Sequence, residues 1–131
     1  MFYFVKSNTK PEVPVIKTLP TTASTEYKIG DALILSAGGL IKATGTTKPG
    51  YIAAADYSAP ATGMEPLPAY LIAPGMEWET TFAADASAVT EGTKVTIHTD
   101  GAQVTATATG GVAQILKKHG TGAAGTKATV M

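Results

Sequence analysis

The sequence predicts an all-β protein, a small β-barrel or sandwich built from repeated hairpin units, with an extended N-terminal arm. Apolar and polar side chains alternate over short runs, as in strands with one buried face. Glycine and proline punctuate these runs, and one unit recurs along the chain. No run has a sustained helical period with caps, and 131 residues suffice for one domain.

The first 25 residues differ from the rest of the chain. Phe2, Phe4 and Val5 are predicted to form an edge strand. Three prolines follow within residues 6–20, and they favour extended backbone and remove hydrogen-bond donors from a ladder. The segment therefore has two interpretations, a disordered lead-in or an extended arm.

Apolar side chains in the second half of this segment favour the arm. They are Val13, Val15, Ile16 and Leu19. We predict an arm over residues 1–25, ordered by contact with a partner, and a β-rich domain over residues 26–131. We expect deletion of residues 1–20 to leave the folded core intact and to weaken assembly.

Residues 27–55 form the first predicted hairpin unit. Gly30 opens a strand with Leu33 on its buried face. The Gly-Gly pair at 38–39 is predicted as the turn, because glycine accepts the positive φ of tight hairpins. The return strand leads to the Pro-Gly pair at 49–50 and then to a short apolar strand.

The middle of the chain is predicted as a surface loop over residues 56–68 and two strands after it. Residues 70–72 are a short apolar strand that ends at the Pro-Gly pair 74–75. Apolar and polar side chains then alternate, which places Trp78, the only tryptophan, on the buried face. Residues 83–89 are predicted as a single helical turn or a loop.

Residues 91–117 repeat the first unit. Gly92 opens an alternating strand, and the Asp-Gly pair at 100–101 predicts a type I′ hairpin with positive φ at both central residues. The Gly-Gly pair at 110–111 breaks the return strand before a short buried strand. Residues 125–130 carry a third, partial copy, so the repeats reflect either an internal duplication or shared hairpin rules.

Charge and composition limit the classes of function. Ten acidic and ten basic residues cancel, and every basic residue is a lysine. Without the bidentate fork of arginine and without a basic cluster, nucleic-acid binding is not expected. The chain has no cysteine for a disulfide or a thiolate metal site. Its low charged fraction of 15% suits a β protein that buries surface in an assembly.

Targeting signals are not expected either. Residues 1–5 are apolar but too short for the core of a signal peptide. No stretch approaches the roughly eighteen apolar residues of a membrane span. We therefore expect synthesis in a cytoplasm and no contact with a membrane.

The titratable side chains form no recognisable catalytic set. His98 is placed on the outer face of a strand and His119 near a loop, without the spacing of a metal pair. Glu77 and Glu79 share a strand face, whereas glycoside hydrolysis needs carboxylates on opposite sides of a sugar. We predict no catalytic residue, no cofactor site and no metal site, and we do not expect an enzyme.

Aromatic residues offer one alternative, a sugar-stacking platform made by Trp78 with three tyrosines. Those tyrosines are Tyr51, Tyr57 and Tyr70. The alternation around Trp78 favours a place in the core instead, but a carbohydrate-binding or adhesin-like β module stays open as a second interpretation.

Three stretches resemble small capsid decoration proteins of tailed bacteriophages, which are also called head-stabilising, cement or auxiliary capsid proteins. The stretches are residues 27–57, 66–82 and 92–116. They share with that family an opening strand that begins Gly-Asp, short strands rich in Ala and Gly, a central strand with a Glu-Trp-Glu run, and closing Gly-x-Lys-Val strands with an Asp-Gly turn. The resemblance covers about residues 27–130.

The resemblance implies a β-rich virion protein that binds the outside of the expanded head and bridges neighbouring major capsid protein subunits. It also implies a homo-oligomer, with a trimer favoured. We nominate apolar residues outside the repeats as capsid contacts, namely Phe2, Phe4, Val13, Val15 and Ile16. A carbohydrate-binding or adhesin-like β module on a virion surface is the alternative.

Overall fold

The computed structural model describes residues 1–8, 14–62 and 65–131, which contain twelve strands and no helix. The strands of the first half are β1 (Tyr3–Ser7), β2 (Ile16–Pro20), β3 (Glu26–Tyr27), β4 (Ala32–Ser36), β5 (Gly39–Lys42) and β6 (Tyr51–Ala53). Those of the second half are β7 (Tyr57–Ser58), β8 (Pro66–Leu71), β9 (Met76–Thr81), β10 (Lys94–Val95), β11 (Ala113–Lys118) and β12 (Lys127–Val130).

The strands form two five-stranded antiparallel sheets and one small ribbon. The first sheet has the order β1-β9-β12-β11-β10, and the second has the order β2-β8-β6-β4-β5. Strands β3 and β7 pair as a separate ribbon. Neither sheet closes into a barrel, although a single bridge from Thr21 to Leu40 brings the two edges of the second sheet together. The predicted all-β fold is confirmed.

Both faces of the second sheet are buried, each in its own hydrophobic core. The first core lies between the sheets, where Ala32 and Ile52 meet Trp78 and Ile115. The second core lies on the other face, and Leu33, the neighbour of Ala32, belongs to it. Because successive strand residues point to opposite faces, a strand buried on both sides is apolar throughout. This explains the apolar character of Ala32 and Leu33 at the start of β4, whereas Leu35 further along the strand is exposed.

Four of the strands are each preceded by the same kind of glycine turn. In each case the third residue of the turn is a glycine with positive φ, and the first carbonyl accepts a hydrogen bond from the fourth amide, which is the pattern of a type II turn. The glycines are Gly30 (φ 87°), Gly75 (φ 83°), Gly92 (φ 90°) and Gly125 (φ 88°). The bonds join Asp31 N to Lys28 O, Met76 N to Ala73 O, Thr93 N to Thr90 O and Thr126 N to Ala123 O. The recurring glycine unit is therefore a recurring turn.

The first hairpin turns one residue earlier than predicted. Its central residues are Ala37 (φ 51°) and Gly38 (φ 85°), between the paired Ser36 and Gly39. Positive φ at both central residues is the type I′ pattern. Gly39 is buried in β5, and glycine suits this position for a different reason, because a Cβ there would lie 2.6 Å from Thr22 Oγ1.

The second hairpin is not the predicted type I′ turn. Gly101 has positive φ, but Asp100 does not. The amide of His98 donates to Gln103 O at 2.8 Å, and the amide of Gly101 donates to His98 O at 2.9 Å. The chain thus reverses through a four-residue loop, because the carboxylate of Asp100 accepts from the amides of Ala102 and Gln103 and holds the loop open.

The N-terminal segment takes part in both sheets. Strand β1 is the predicted edge strand and pairs with β9, and β2 is an edge strand that pairs with β8. Phe2 is buried in the first core with 6% exposure. The division at residue 25 stays a prediction. However, we now expect deletion of residues 1–20 to destabilise the fold, because it would remove an edge strand from each sheet and a core aromatic ring.

The central region also departs from the predicted loop over residues 56–68. Strand β7 and the start of β8 lie within it, while residues 63–64 are outside the described part of the chain. Residues 83–89 form a loop rather than a helical turn. The predicted burial of Trp78 is confirmed, with 4% exposure.

Candidate functional site

The edge of the second sheet presents two of the nominated contact residues. Val15 is 40% exposed and Ile16 is 58% exposed. The amide of Leu71 donates to Val15 O at 2.8 Å, and the amide of Thr21 donates to Glu65 O at 3.1 Å. Because antiparallel residues alternate between bonded and non-bonded pairs, the odd-numbered residues of β2 bond to β8. The backbone groups of the even-numbered residues point to the free edge.

The other nominated residues lie elsewhere. Phe2 packs inside the first core, and Phe4 is half-buried with its ring 5.6 Å from that of Trp78 in a T-shaped contact. Val13 lies outside the described residues. The structure therefore brings Val15 and Ile16 together on the surface and separates them from the two phenylalanines. Capsid contact at these positions stays a prediction.

Sequence reasoning missed the exposed side chains of β1. Tyr3 is 55% exposed on the face opposite Phe4, and Val5, at the register shift, is 46% exposed. The period of two was the available signal, because a strand that buries residues 2 and 4 turns residues 3 and 5 outward. The register shift between Phe4 and Lys6 bends this edge. A bulge protects an edge against further pairing, and no register shift interrupts β2, so β2 is the more regular edge.

The carboxylates on the outer face of β9 are engaged in ion pairs. Glu77 lies 3.6 Å from Lys6 Nζ and accepts a hydrogen bond from Asn8 at 2.9 Å. Glu79 lies 3.6 Å from Lys127 Nζ. These contacts fit the predicted polar outer face of the strand.

The two histidines lie in different environments. His98 is half-buried in the second hairpin, while the exposed His119 contacts Thr129 Oγ1 at 2.8 Å. Among residues 1–8, 14–62 and 65–131, no group of three or more His, Cys, Asp or Glu side chains is arranged to hold a metal ion.

Asp31 is the buried carboxylate of the described chain, and its partners are structural. It accepts from the amide of Lys28 at 2.9 Å and lies 3.6 Å from Lys42 Nζ. Nearby, the ammonium group of Met1 donates to Ala102 O. Burial lowers the pKa of that ammonium group, and the charges of Asp100 and Asp31 act in the opposite direction. This cluster ties the N-terminus and both hairpin units together.

The aromatic residues do not form a single platform. Trp78 and Tyr70 pack at the first core, whereas Tyr51 and Tyr57 pack at the second. The indole nitrogen of Trp78 is buried without a hydrogen-bond acceptor in the described residues. Its ring makes the T-shaped contact with Phe4, a geometry typical of buried aromatic pairs.

An apolar groove opens between the two sheets, with a volume of about 330 Å³. Its walls include Ile52 from the second sheet, Ile72 from the connection after β8, and Trp78 and Val130 from the first sheet. Sequence reasoning did not find this groove, because it forms where the connection from β8 to β9 passes the ends of β11 and β12.

No protein-family model and no curated protein matches this chain. The described residues include no helix that is long and apolar enough to cross a bilayer.

Proposed function

We propose that this chain is a structural virion protein that binds the outside of a mature phage capsid and stabilises the shell by bridging major capsid protein subunits. The observation that carries the proposal is the edge of β2 before the bridge from Thr21 to Leu40, where Val15 and Ile16 are exposed and the backbone groups of the even-numbered residues face away from β8. The sequence resemblance over residues 27–130 supplies the class of partner. The chain acts as a homo-oligomer, with a trimer favoured.

Strand addition gives the mode of binding. An extended capsid segment pairs with β2 through the outward backbone groups of Ile16 and Thr18, and exposed apolar side chains add contact area. Pro20 sits at the next outward position, where its missing N–H costs no bond to β8. It therefore marks the end of the docking edge.

Binding of this kind stabilises a shell without chemistry. A protein that binds the expanded lattice and not its precursor shifts the equilibrium toward the expanded state by mass action. Oligomerisation multiplies the effect, because each additional linked contact becomes intramolecular. Net neutrality and low charge leave apolar and backbone contacts as the main source of affinity.

The test is co-sedimentation of the purified protein with expanded heads that lack it. We expect saturable binding at a fixed ratio to the major capsid protein, together with a trimer mass by light scattering. Thr18→Pro should abolish binding while the protein stays folded, because it removes an outward N–H only. Lys17→Pro is the control for position, since it removes a bond to β8 and should destabilise the sheet.

Side-chain contacts are tested by Ile16→Ser, which should weaken head binding. Ile29→Ser is the matched control, because Ile29 is an exposed isoleucine away from β2. Full binding by folded Thr18→Pro and Ile16→Ser proteins would refute the docking edge. Absence of binding to expanded heads, with retention on a glycan array instead, would favour the carbohydrate-binding alternative.

A further inference from the structure

The groove between the sheets has the features of a small-ligand site. It is an opening of about 330 Å³ lined mostly by apolar side chains, whereas protein interiors are close-packed. Its volume lies near the lower end of the range for ligand pockets, roughly 300–1,000 Å³. The walls are alkyl and aromatic carbon, which favours an apolar ligand body.

The position of the groove in the fold argues against a peptide strand as its occupant. Four of the strands that line it, β6, β9, β11 and β12, lie inside their sheets. Their backbone groups are engaged in the ladders, so an added strand would find only the two-residue edge strand β10, which contributes Lys94 to the lining. This separates the groove from the edge of β2, where strand addition is proposed.

The charges at the groove point to an anionic ligand. Lys48 and Lys94 belong to its lining and are exposed, and neither makes a salt bridge in the described ranges. The lining contains no Asp or Glu side chain, so the charge that its side chains contribute is positive. A carboxylate bound near Lys48 and Lys94 would be attracted by their charge.

We propose that this groove binds a fatty carboxylate, with the aliphatic chain between the sheets and the carboxylate beside Lys48 and Lys94. A flexible chain conforms to a cleft whose walls come from two twisted sheets. The ring of Trp78 forms part of the wall, but its indole nitrogen is shielded and makes no ligand contact. The site is independent of capsid binding.

Sodium octanoate is the probe, and Trp78, the only tryptophan, is the reporter. We expect a saturable change in tryptophan fluorescence below the micelle concentration, with one octanoate per chain by calorimetry. Octanol, which has the same chain without the charge, should bind about three- to tenfold more weakly, as expected for two exposed ion pairs. Unsaturable or absent binding of octanoate would overturn the proposal.

Two variants locate the site. The pair Lys48→Gln and Lys94→Gln should bring octanoate affinity down to that of octanol, while the control pair Lys17→Gln and Lys117→Gln should leave it unchanged. Equal affinities of the two probes for the unaltered protein, or no effect of the first pair, would overturn the assignment of the carboxylate.

Ala73→Leu fills the groove and should abolish binding of both probes without loss of the folded state by circular dichroism. Unchanged binding by this variant would place the ligand elsewhere and refute the site. If Ala73→Leu instead converts an oligomer to a monomer by light scattering, the groove is covered by a second copy of the chain, and the ligand proposal is wrong.

Discussion

The two repeat units begin alike and then diverge. Both open with a glycine turn, at Gly30 and at Gly92. The first unit continues as a regular hairpin, with four consecutive pairs between β4 and β5. The second has only a two-residue strand, β10, and its hairpin opens into a four-residue loop. Similar sequence patterns therefore give one complete hairpin and one interrupted hairpin.

The second unit is also joined to the first by backbone hydrogen bonds. Ile97 exchanges both backbone hydrogen bonds with Gly45, at 2.8 and 3.0 Å. The amide of Ala32 donates to Gly101 O at 2.7 Å, so the open loop satisfies the first strand of the other unit. These groups of Ile97 face away from the second hairpin, because bonded and non-bonded pairs alternate and the bonded residues there are His98 with Gln103 and Thr96 with Thr105. The second hairpin therefore keeps bonds of its own while it pairs with the first unit, and its open loop supplies the acceptor for Ala32.

The largest expected effect on stability concerns the glycine near the end of each unit, Gly50 in the first and Gly111 in the second. A Cβ at Gly111 would overlap the carbonyl of Lys94 and lie 2.6 Å from the nitrogen of Val95, whereas a Cβ at Gly50 meets nothing within 4 Å. We expect Gly111→Ala to cost about 3 kcal/mol or more in the free energy of unfolding. Gly50→Ala should change it by less than about 1 kcal/mol.

Urea denaturation of both variants measures this difference. A similar, small effect of the two substitutions would show that the close approach of Gly111 to β10 is absent in solution. Failure of Gly111→Ala to fold, with normal folding of Gly50→Ala, agrees with the expectation.

The next effect concerns the residue after each opening glycine. The buried carboxylate of Asp31 accepts a hydrogen bond from Lys28 N and forms an ion pair with Lys42. At the equivalent position, the hydroxyl of Thr93 bonds to the hydroxyl of Thr90, at 3.2 Å. We expect Asp31→Ala to cost about 2 kcal/mol, as for hydrogen bonds to a charged group. Thr93→Ala should cost less than about 0.5 kcal/mol. Equal losses of stability for the two variants in thermal unfolding would contradict this difference between Asp31 and Thr93.

A smaller effect is expected at the open loop. Asp100→Ala removes the acceptor for the amides of Ala102 and Gln103, at 2.8 and 3.2 Å, and should cost about 1 kcal/mol. Asp100→Asn keeps an acceptor oxygen and should retain most of the stability. Amide hydrogen exchange of Ala102 and Gln103 should be faster only in the alanine variant. Equal exchange rates in both variants would show that the Asp100 carboxylate does not stabilise this loop.

The smallest effect distinguishes the two turn types. Ala37 has positive φ, so Ala37→Gly should relieve strain and stabilise the protein by about 0.5–1 kcal/mol. Gly38→Ala should destabilise it by a similar amount, since φ there is also positive and the added Cβ meets no neighbour. Asp100→Gly should destabilise the protein. If this substitution stabilises it instead, the result would support the type I′ turn predicted for that hairpin.

The exposure of the nominated residues could be predicted in part. Apolar character outside the repeats selected Val15 and Ile16, which the structure shows to be exposed, and their contact with a capsid stays a prediction. The same criterion selected Phe2, which is buried, because composition does not reveal which side of a strand faces a core. The groove was beyond sequence reasoning, since its walls come from segments far apart in the chain.

The sequence by itself determined the local features of this protein: an all-β fold, the positions of the glycine turns, and the burial of Trp78. These follow from the period of two and from the conformational freedom of glycine, which act over a few residues. Tertiary structure alone decided which hairpin is complete, where the N-terminal strands pair and where the sheets leave a groove. Those outcomes depend on backbone and side-chain contacts between segments far apart in the chain, such as the hydrogen bonds between Gly45 and Ile97, and no local pattern contains that information.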